Sequence, residues 1–127
     1  MKLYPLYFTV IMAVVLSCAS GPVDVPDDMP PTKIIQRAQE ATDVNKYKAA
    51  IQYYRILRER YGNVYEYLCT AEYEIAFIQY KQKKYFEARQ GFESLLSLYK
   101  AEGGEILPQQ FKVLAEKVLA VIIEKGY

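Results

Sequence analysis

One segment of this chain occurs twice, and the second copy starts 38 residues after the first. The sequence at 47–61 is YKAAIQYYRILRERY, and the sequence at 85–99 is YFEARQGFESLLSLY. The shared positions are spaced i, i+3, i+7, i+10 and i+14, which places them along one side of an α-helix. A repeat of this length predicts stacked helical units and therefore an all-α fold. The paired residues are Tyr47 with Tyr85, Ala50 with Ala88, Tyr54 with Phe92, Leu57 with Leu95, and Tyr61 with Tyr99.

The repeated segment resembles the second helix of a tetratricopeptide repeat, in which an aromatic residue, an alanine, an aromatic and an aliphatic residue follow at these intervals. Ala38 and Ala76 lie nine positions before the first tyrosine of each copy. The first helix of such a repeat carries a small residue there. The resemblance implies two helical hairpins followed by a C-terminal helix. The alternative is two ordinary amphipathic hairpins that are similar by chance, and it predicts nearly the same fold.

Turn residues divide the chain into five predicted helices. Asp43 to Asn45, Gly62-Asn63, Gln82 to Lys84 and the pair Gly103-Gly104 interrupt the apolar periodicity. We expect Gly62 to end its helix in the left-handed conformation. The predicted helical domain covers residues 32–127, and its helices run over about 32–42, 46–60, 64–81, 85–100 and from 107 onward.

The N-terminus has the pattern of an export signal. Residues 1–17 contain one lysine, Lys2, and an apolar run that is too short to cross a bilayer but has the length of a signal peptide. The run ends at Ser17-Cys18 and resembles a bacterial lipobox, which implies that residues 1–17 are removed and that Cys18 receives a covalent lipid. An ordinary secretory signal and an uncleaved anchor are the alternatives.

Residues 18–31 then form a proline-rich tether. Because proline fixes φ and lacks an N–H donor, this segment predicts an extended, disordered linker. By the sorting pattern of resembling lipoproteins, Ala19 and Ser20 imply an outer-membrane location, and we expect the lipid-anchored protein to face the periplasm. Acylation would occupy the Cys18 thiol, so we expect Cys69 to be a buried free thiol on a helix.

Composition argues against a catalytic or nucleic-acid-binding protein. The chain has no histidine, and its formal net charge is +1. The commonest proton shuttle is therefore missing, and so is the positive charge of a polyanion-binding protein. No metal-ligand spacing or nucleophile–base set is present. We expect no enzyme activity, no metal and no cofactor apart from the lipid on Cys18.

Two surfaces are candidates for binding a partner. Tyr73, Phe77 and Tyr80 are spaced i, i+4, i+7 and, with Lys81, predict an aromatic groove on the third helix. The alternative is that this stripe packs inside the protein. The last helix is apolar on two sides, so one side predicts a docking face. Its candidate residues are Phe111, Val118 and Ile122, within the apolar seam Leu107, Phe111, Leu114, Val118 and Val121 and the second apolar set Val113, Leu119, Ile122 and Ile123.

The lipobox, the tether and the repeats together resemble the BamD family of outer-membrane lipoproteins, in a short form similar to those of spirochaetes. The most similar part is AEYEIAFIQYKQKKY at 71–85. The resemblance implies a non-enzymatic scaffold in β-barrel assembly, with a BamA-like barrel protein, other assembly subunits and unfolded barrel substrates as partners. The family usually has about five repeats, whereas this chain has two and a half. A periplasmic scaffold for another envelope complex, such as one acting on the cell wall, and an accessory subunit of an enzyme are the alternatives.

Overall fold

The computed structural model describes residues 21–127, and it is all-helical as predicted. Its five α-helices are α1 (Pro31–Asp43), α2 (Tyr47–Tyr61), α3 (Tyr65–Lys81), α4 (Tyr85–Lys100) and α5 (Gln109–Glu124), with a short 3-10 turn at Gly104–Ile106 before α5. No strand occurs in this range. The predictions for the signal peptide and for Cys18 lie outside the described residues.

The helices form two hairpins that stack on each other. Helix α1 packs on α2, α2 on α3, α3 on α4, and α4 on α5, while α5 also contacts α3. This neighbour-to-neighbour packing is the arrangement that tetratricopeptide-like repeats produce. The repeat found in the sequence is therefore also a repeat of the fold.

Equivalent residues of the two hairpins are buried to the same degree. Ala50 and Ala88 are fully buried, and so are Leu57 and Leu95. The small alanines allow the paired helix to approach closely, and the larger side chains fill the space one and two turns further along. The third buried pair is Tyr54 in α2 and Phe92 in α4.

The two hairpin turns have the same backbone geometry. Asn45 and Lys83 occupy equivalent positions with φ angles of 59° and 61°, in the left-handed region. The next residue in each turn donates its N–H to a carbonyl five positions earlier, Lys46 to Ala41 over 2.8 Å and Lys84 to Gln79 over 3.0 Å. This bond is the one that characterises a Schellman helix ending.

Helix α3 is the central element because it is buried on two sides. Ala71, Ile75 and Ile78 belong to a core shared with α1 and α2, whereas Tyr73 and Ala76 belong to a core shared with α4 and α5. A helix with apolar residues on two sides must be covered on both. The second core is made of Cys69, Tyr73, Ala76, Ala88, Phe92, Leu95, Leu107, Phe111, Ala115 and Ile122.

The prediction of a left-handed Gly62 is wrong. Its φ and ψ angles are −67° and −7°, in the right-handed region, and its N–H still donates to the Arg58 carbonyl. The helix therefore ends in a helical turn, which the N–H of Val64 continues by bonding to the carbonyl of Tyr61 over 3.0 Å. Gly103 does have a positive φ of 81° and begins the turn before α5.

The prediction of a free tether is corrected for residues 21–30. This segment has no helix or strand, as its prolines predict, but it lies against α2. The Val25 side chain is buried in the core of the first hairpin. The Val23 N–H donates to Gln52 Oε1 over 2.9 Å, and the Arg60 guanidinium donates to backbone carbonyls of the segment. Proline prevents regular hydrogen bonding within the segment, but its backbone still pairs with the side chains that α2 supplies.

Candidate functional site

Three aromatic side chains stack along α3. The ring centroids of Tyr73 and Phe77 are 5.7 Å apart with an interplanar angle of 17°, and those of Phe77 and Tyr80 are 6.0 Å apart at 16°. Rings at these distances attract each other through offset stacking. The structure thus brings the three predicted groove residues into one continuous stripe.

Tyr73 belongs to the core and not to an open groove. Its side chain is 7% exposed, and its ring lies 5.7 Å from that of Phe92 and 5.9 Å from that of Phe111. The groove hypothesis is corrected at this position because α5 crosses α3 there and covers the ring. Burial also raises the pKa of the Tyr73 hydroxyl.

The rest of the stripe reaches the surface. Phe77 and Tyr80 are half-buried, and Lys81 is exposed. The Lys81 Nζ lies 4.9 Å from the Phe77 ring centroid, which is a cation–π contact. Partner binding by Phe77, Tyr80 and Lys81 stays a prediction, and the geometry leaves these three side chains accessible for it.

The aromatic surface continues beyond α3. The Tyr80 ring is 5.8 Å from that of Tyr85 at the start of α4, and the Tyr85 ring is 4.8 Å from that of Tyr127. Arg89 donates to the Tyr127 carbonyl over 2.8 Å and holds this residue in place. The edge of the second hairpin therefore presents ring faces and hydroxyl groups side by side.

The inner face of α5 packs on the second hairpin. Phe111 is 9% exposed and Ile122 is fully buried, while Val118 is half-buried. The prediction that Phe111 and Ile122 dock a partner is corrected, because α4 and α3 already cover these side chains.

The outer face of α5 is apolar and uncovered. We define it by Val113, Leu114, Val121 and Ile123, which are 49%, 41%, 38% and 51% exposed. Lys117 lies among them, and Glu116 and Glu124 are exposed next to them. The predicted apolar seam combined residues of both faces, since Leu107, Phe111 and Val118 point inward and Leu114 and Val121 point outward.

Ala115 is the signal that could have separated the two faces of α5. It lies four residues after Phe111 and is fully buried. Small residues mark the close helix contacts elsewhere in this fold, at Ala38, Ala76 and Ala88. Applying the same rule to α5 would have assigned Phe111 and Ala115 to the inner face and left Leu114 outside.

Cys69 is a free, fully buried thiol in the described chain, as predicted. Burial raises the pKa of the thiol. The Tyr99 hydroxyl donates to the Pro108 carbonyl oxygen over 2.6 Å, and its oxygen lies 3.6 Å from the Cys69 Sγ. A raised pKa keeps the sulfur protonated near neutral pH, and the thiolate is the reactive form. Cys69 therefore serves packing.

Within residues 21–127, no group of three His, Cys, Asp or Glu side chains comes close enough to hold a metal ion. No helix in the same range has the length and apolar character needed to cross a membrane.

The chain is similar in sequence to a protein of a spirochaete. A protein of Treponema pallidum (strain Nichols), described only as uncharacterized, is 34% identical to this chain over 97 residues. The match covers 75% of this chain but 39% of the relative, so the chain spans about two fifths of that protein's length. No protein-family model matches the chain. No solved structure matches it either.

Proposed function

We propose that this protein is a non-enzymatic scaffold lipoprotein of the machinery that assembles β-barrel proteins in a bacterial outer membrane. In this role Cys18 carries the lipid anchor, the helical domain faces the periplasm, and the outer face of α5 binds the central, BamA-like barrel subunit. The observation that carries the proposal is the uncovered apolar outer face of α5.

Comparison of α3 with α5 supports a docking role for that face. Both helices are apolar on two sides. Helix α3 is covered on both, by α2 and by α4, whereas the neighbours of α5 lie on its inner side. Leu114 and Val121 therefore remain in contact with water. Exposed apolar surface marks interaction sites in soluble domains, and Leu114 and Val121, seven residues apart, lie on the same side of α5.

The envelope setting rests on the N-terminal sequence. An apolar run that ends at a lipobox-like Ser17-Cys18 supports lipid attachment, and two or more acyl chains give stable anchoring at about 0.8 kcal/mol per buried methylene. A helical repeat next to a membrane suits a scaffold that presents a surface to other proteins. Phe77, Tyr80 and Lys81 are the candidates for holding extended segments of unfolded barrel substrates.

Co-purification tests the proposal directly. The full-length lipoprotein is isolated from detergent-solubilised membranes of its own bacterium, and the proteins bound to it are identified by mass spectrometry. Recovery of a β-barrel protein with periplasmic repeats is the expected result. Recovery of cell-wall enzymes without any barrel protein would contradict the proposal and favour a scaffold of another envelope complex.

A paired charge substitution tests the docking face. Leu114→Glu with Val121→Glu places two carboxylates on the outer face, and we expect at least a tenfold loss of the co-purified barrel protein. Both residues are exposed, so helicity and melting temperature should change little. Phe86→Glu is the matched control, because Phe86 is 66% exposed on α4 and lies outside the proposed interface. Equal losses in the two variants would contradict a specific role for α5.

A further inference from the structure

The segment 21–30 is held against α2 by four hydrogen bonds, and each uses a backbone atom of the segment. Gln52 Oε1 accepts from the Val23 N–H over 2.9 Å. The Arg60 guanidinium donates to two consecutive carbonyls, with 2.8 Å from Nη2 to the Val25 oxygen and 2.8 Å from Nη1 to the Pro26 oxygen. The Tyr61 hydroxyl donates to the Met29 carbonyl over 2.8 Å.

One side chain of the segment fills an apolar site. Val25 is 9% exposed and belongs to the buried core that contains Ile34 and Leu57. Val23 and Met29 pack against that core more loosely. Asp27 lies 3.5 Å from Arg60, but its side chain is fully exposed, so this ion pair adds little.

Side-chain groups that pair with backbone atoms, next to a site for one apolar side chain, are the means by which peptide-binding sites hold an extended chain. Polar groups that bind only backbone atoms accept many sequences, and a pocket for one small apolar side chain supplies limited selectivity. Two donors from one planar guanidinium also fix the position of the bound backbone, because they pair with two consecutive carbonyls. Gln52, Arg60 and Tyr61 thus line a strip of α2 that binds non-helical polypeptide.

We propose that this strip of α2, defined by Gln52, Arg60 and Tyr61, is a binding site for an extended polypeptide segment of another protein, and that residues 21–30 occupy it at rest. The partner's segment carries a small apolar residue in the place of Val25 and leaves its backbone groups free to pair. Displacement of residues 21–30 opens the site. This site is independent of the outer face of α5 and of the identity of the partner that binds there.

Covalent attachment explains why the site is closed at rest. A short tether keeps its own segment at a millimolar effective concentration. A free peptide of the same sequence must exceed that concentration to displace it. The intact chain should therefore bind such a peptide at least tenfold more weakly than a chain whose own segment has been released.

The test uses the full-length chain and a fluorescent peptide with the sequence of residues 21–31, GPVDVPDDMPP. Val25→Asp releases the chain's own segment, because a carboxylate cannot enter the apolar site without a large desolvation penalty. The groups on α2 remain unchanged. We expect the variant to bind the peptide at least tenfold more tightly than the parent chain, measured by fluorescence anisotropy.

A second substitution shows where the peptide binds. Adding Arg60→Ala to the released chain removes two backbone hydrogen bonds and should weaken peptide binding at least tenfold. Adding Arg55→Ala, at an exposed arginine of the same helix, is the matched control and should leave binding unchanged. Equal binding by the parent and Val25→Asp chains, or equal effects of the two arginine substitutions, would overturn the proposal.

Circular dichroism establishes that each variant retains its helices. If Val25→Asp lowers helicity, Val25→Ser provides a milder release, and the same comparison of Arg60→Ala with Arg55→Ala then decides. Co-purification of a barrel subunit does not enter this test, so failure of the peptide site and failure of the proposed scaffold role are separate results.

Discussion

The first and second hairpins end in equivalent tyrosines, Tyr61 and Tyr99. Each hydroxyl donates a hydrogen bond to a backbone carbonyl, but the segment that accepts it differs between the hairpins. The Tyr61 hydroxyl donates to the Met29 carbonyl in the segment before α1, and the Tyr99 hydroxyl donates to the Pro108 carbonyl just before α5. In the first hairpin the neighbour is a polypeptide segment without regular structure. In the second hairpin the neighbouring segment leads into a complete helix, α5, which exposes further apolar side chains.

The two ends of the helical stack are therefore covered by different kinds of structure. Residues 21–30 cover the α2 side of the first hairpin, and their exposed side chains are prolines and the three aspartates Asp24, Asp27 and Asp28. Helix α5 covers the second hairpin but exposes Leu114 and Val121. Repeat stacks need a polar outer surface at each end to remain soluble. The N-terminal side meets that need within the described chain, whereas the C-terminal side leaves apolar side chains exposed, which the proposed partner would cover.

The largest expected effect concerns the shared core. Leu57→Ala and Leu95→Ala each remove a fully buried side chain from equivalent positions, and each should lower the free energy of unfolding by about 2–5 kcal/mol. Chemical denaturation followed by circular dichroism measures both. Similar losses of unfolding free energy would show that the two leucines contribute equally to stability. A loss in one variant alone would mean that the two hairpins share a geometry but not a stability.

A smaller effect should distinguish the hairpins. Gly91 in α4 faces Ala76 of α3, and a Cβ at position 91 would lie 2.8 Å from the Ala76 Cβ. Gly91→Ala should therefore cost about 1–2 kcal/mol, although alanine is intrinsically the better helix former. The first hairpin carries Tyr53 at the equivalent position, so it lacks this close contact.

Thermal unfolding of Gly91→Ala measures that cost. Gln90→Ala, at an exposed neighbour on the same helix, is the control and should be neutral or slightly stabilising. Replacing Ala76 by glycine in the Gly91→Ala background should recover part of the loss. A Gly91→Ala chain that melts above the parent would contradict the close packing of α3 on α4.

The smallest effect concerns the two turns. Lys83 and Asn45 both have positive φ, which costs a residue with a Cβ about 1 kcal/mol but costs asparagine less. Lys83→Gly should therefore raise the stability by up to about 1 kcal/mol, and Asn45→Gly should gain less. Differential scanning calorimetry compares the two. Lys84→Gly, next to the turn with a φ of −85°, should bring no gain. A larger gain at Asn45 than at Lys83 would contradict the equivalence of the turns.

The helices and the core could be predicted because the same apolar spacing occurs twice in the sequence. The pairs Ala50 and Ala88, and Leu57 and Leu95, follow from spacing alone, and the structure buries all four. Tyr73 could not be assigned to core or groove from its own helix, because its burial depends on where α5 crosses α3. The assignment of Phe111 to the surface failed for the same reason.

The docking of residues 21–30 was missed for a different reason. Its bonds join residues about 30 positions apart in the chain, Val23 with Gln52 and Met29 with Tyr61, and no local pattern reports such distant pairs. The alternation of Val23 and Val25 with polar neighbours was the available sign that one side of the segment faces a surface.

Site-specific photocrosslinking in living cells tests the central claim most directly. A photoreactive phenylalanine analogue replaces Val121 on the outer face of α5 in one strain and Phe86 on α4 in another, and both side chains are exposed. We predict that the probe at position 121 crosslinks to one envelope protein, a barrel subunit, and that the probe at position 86 does not. Absence of a crosslink at position 121, or the same crosslinks from both positions, would contradict the account.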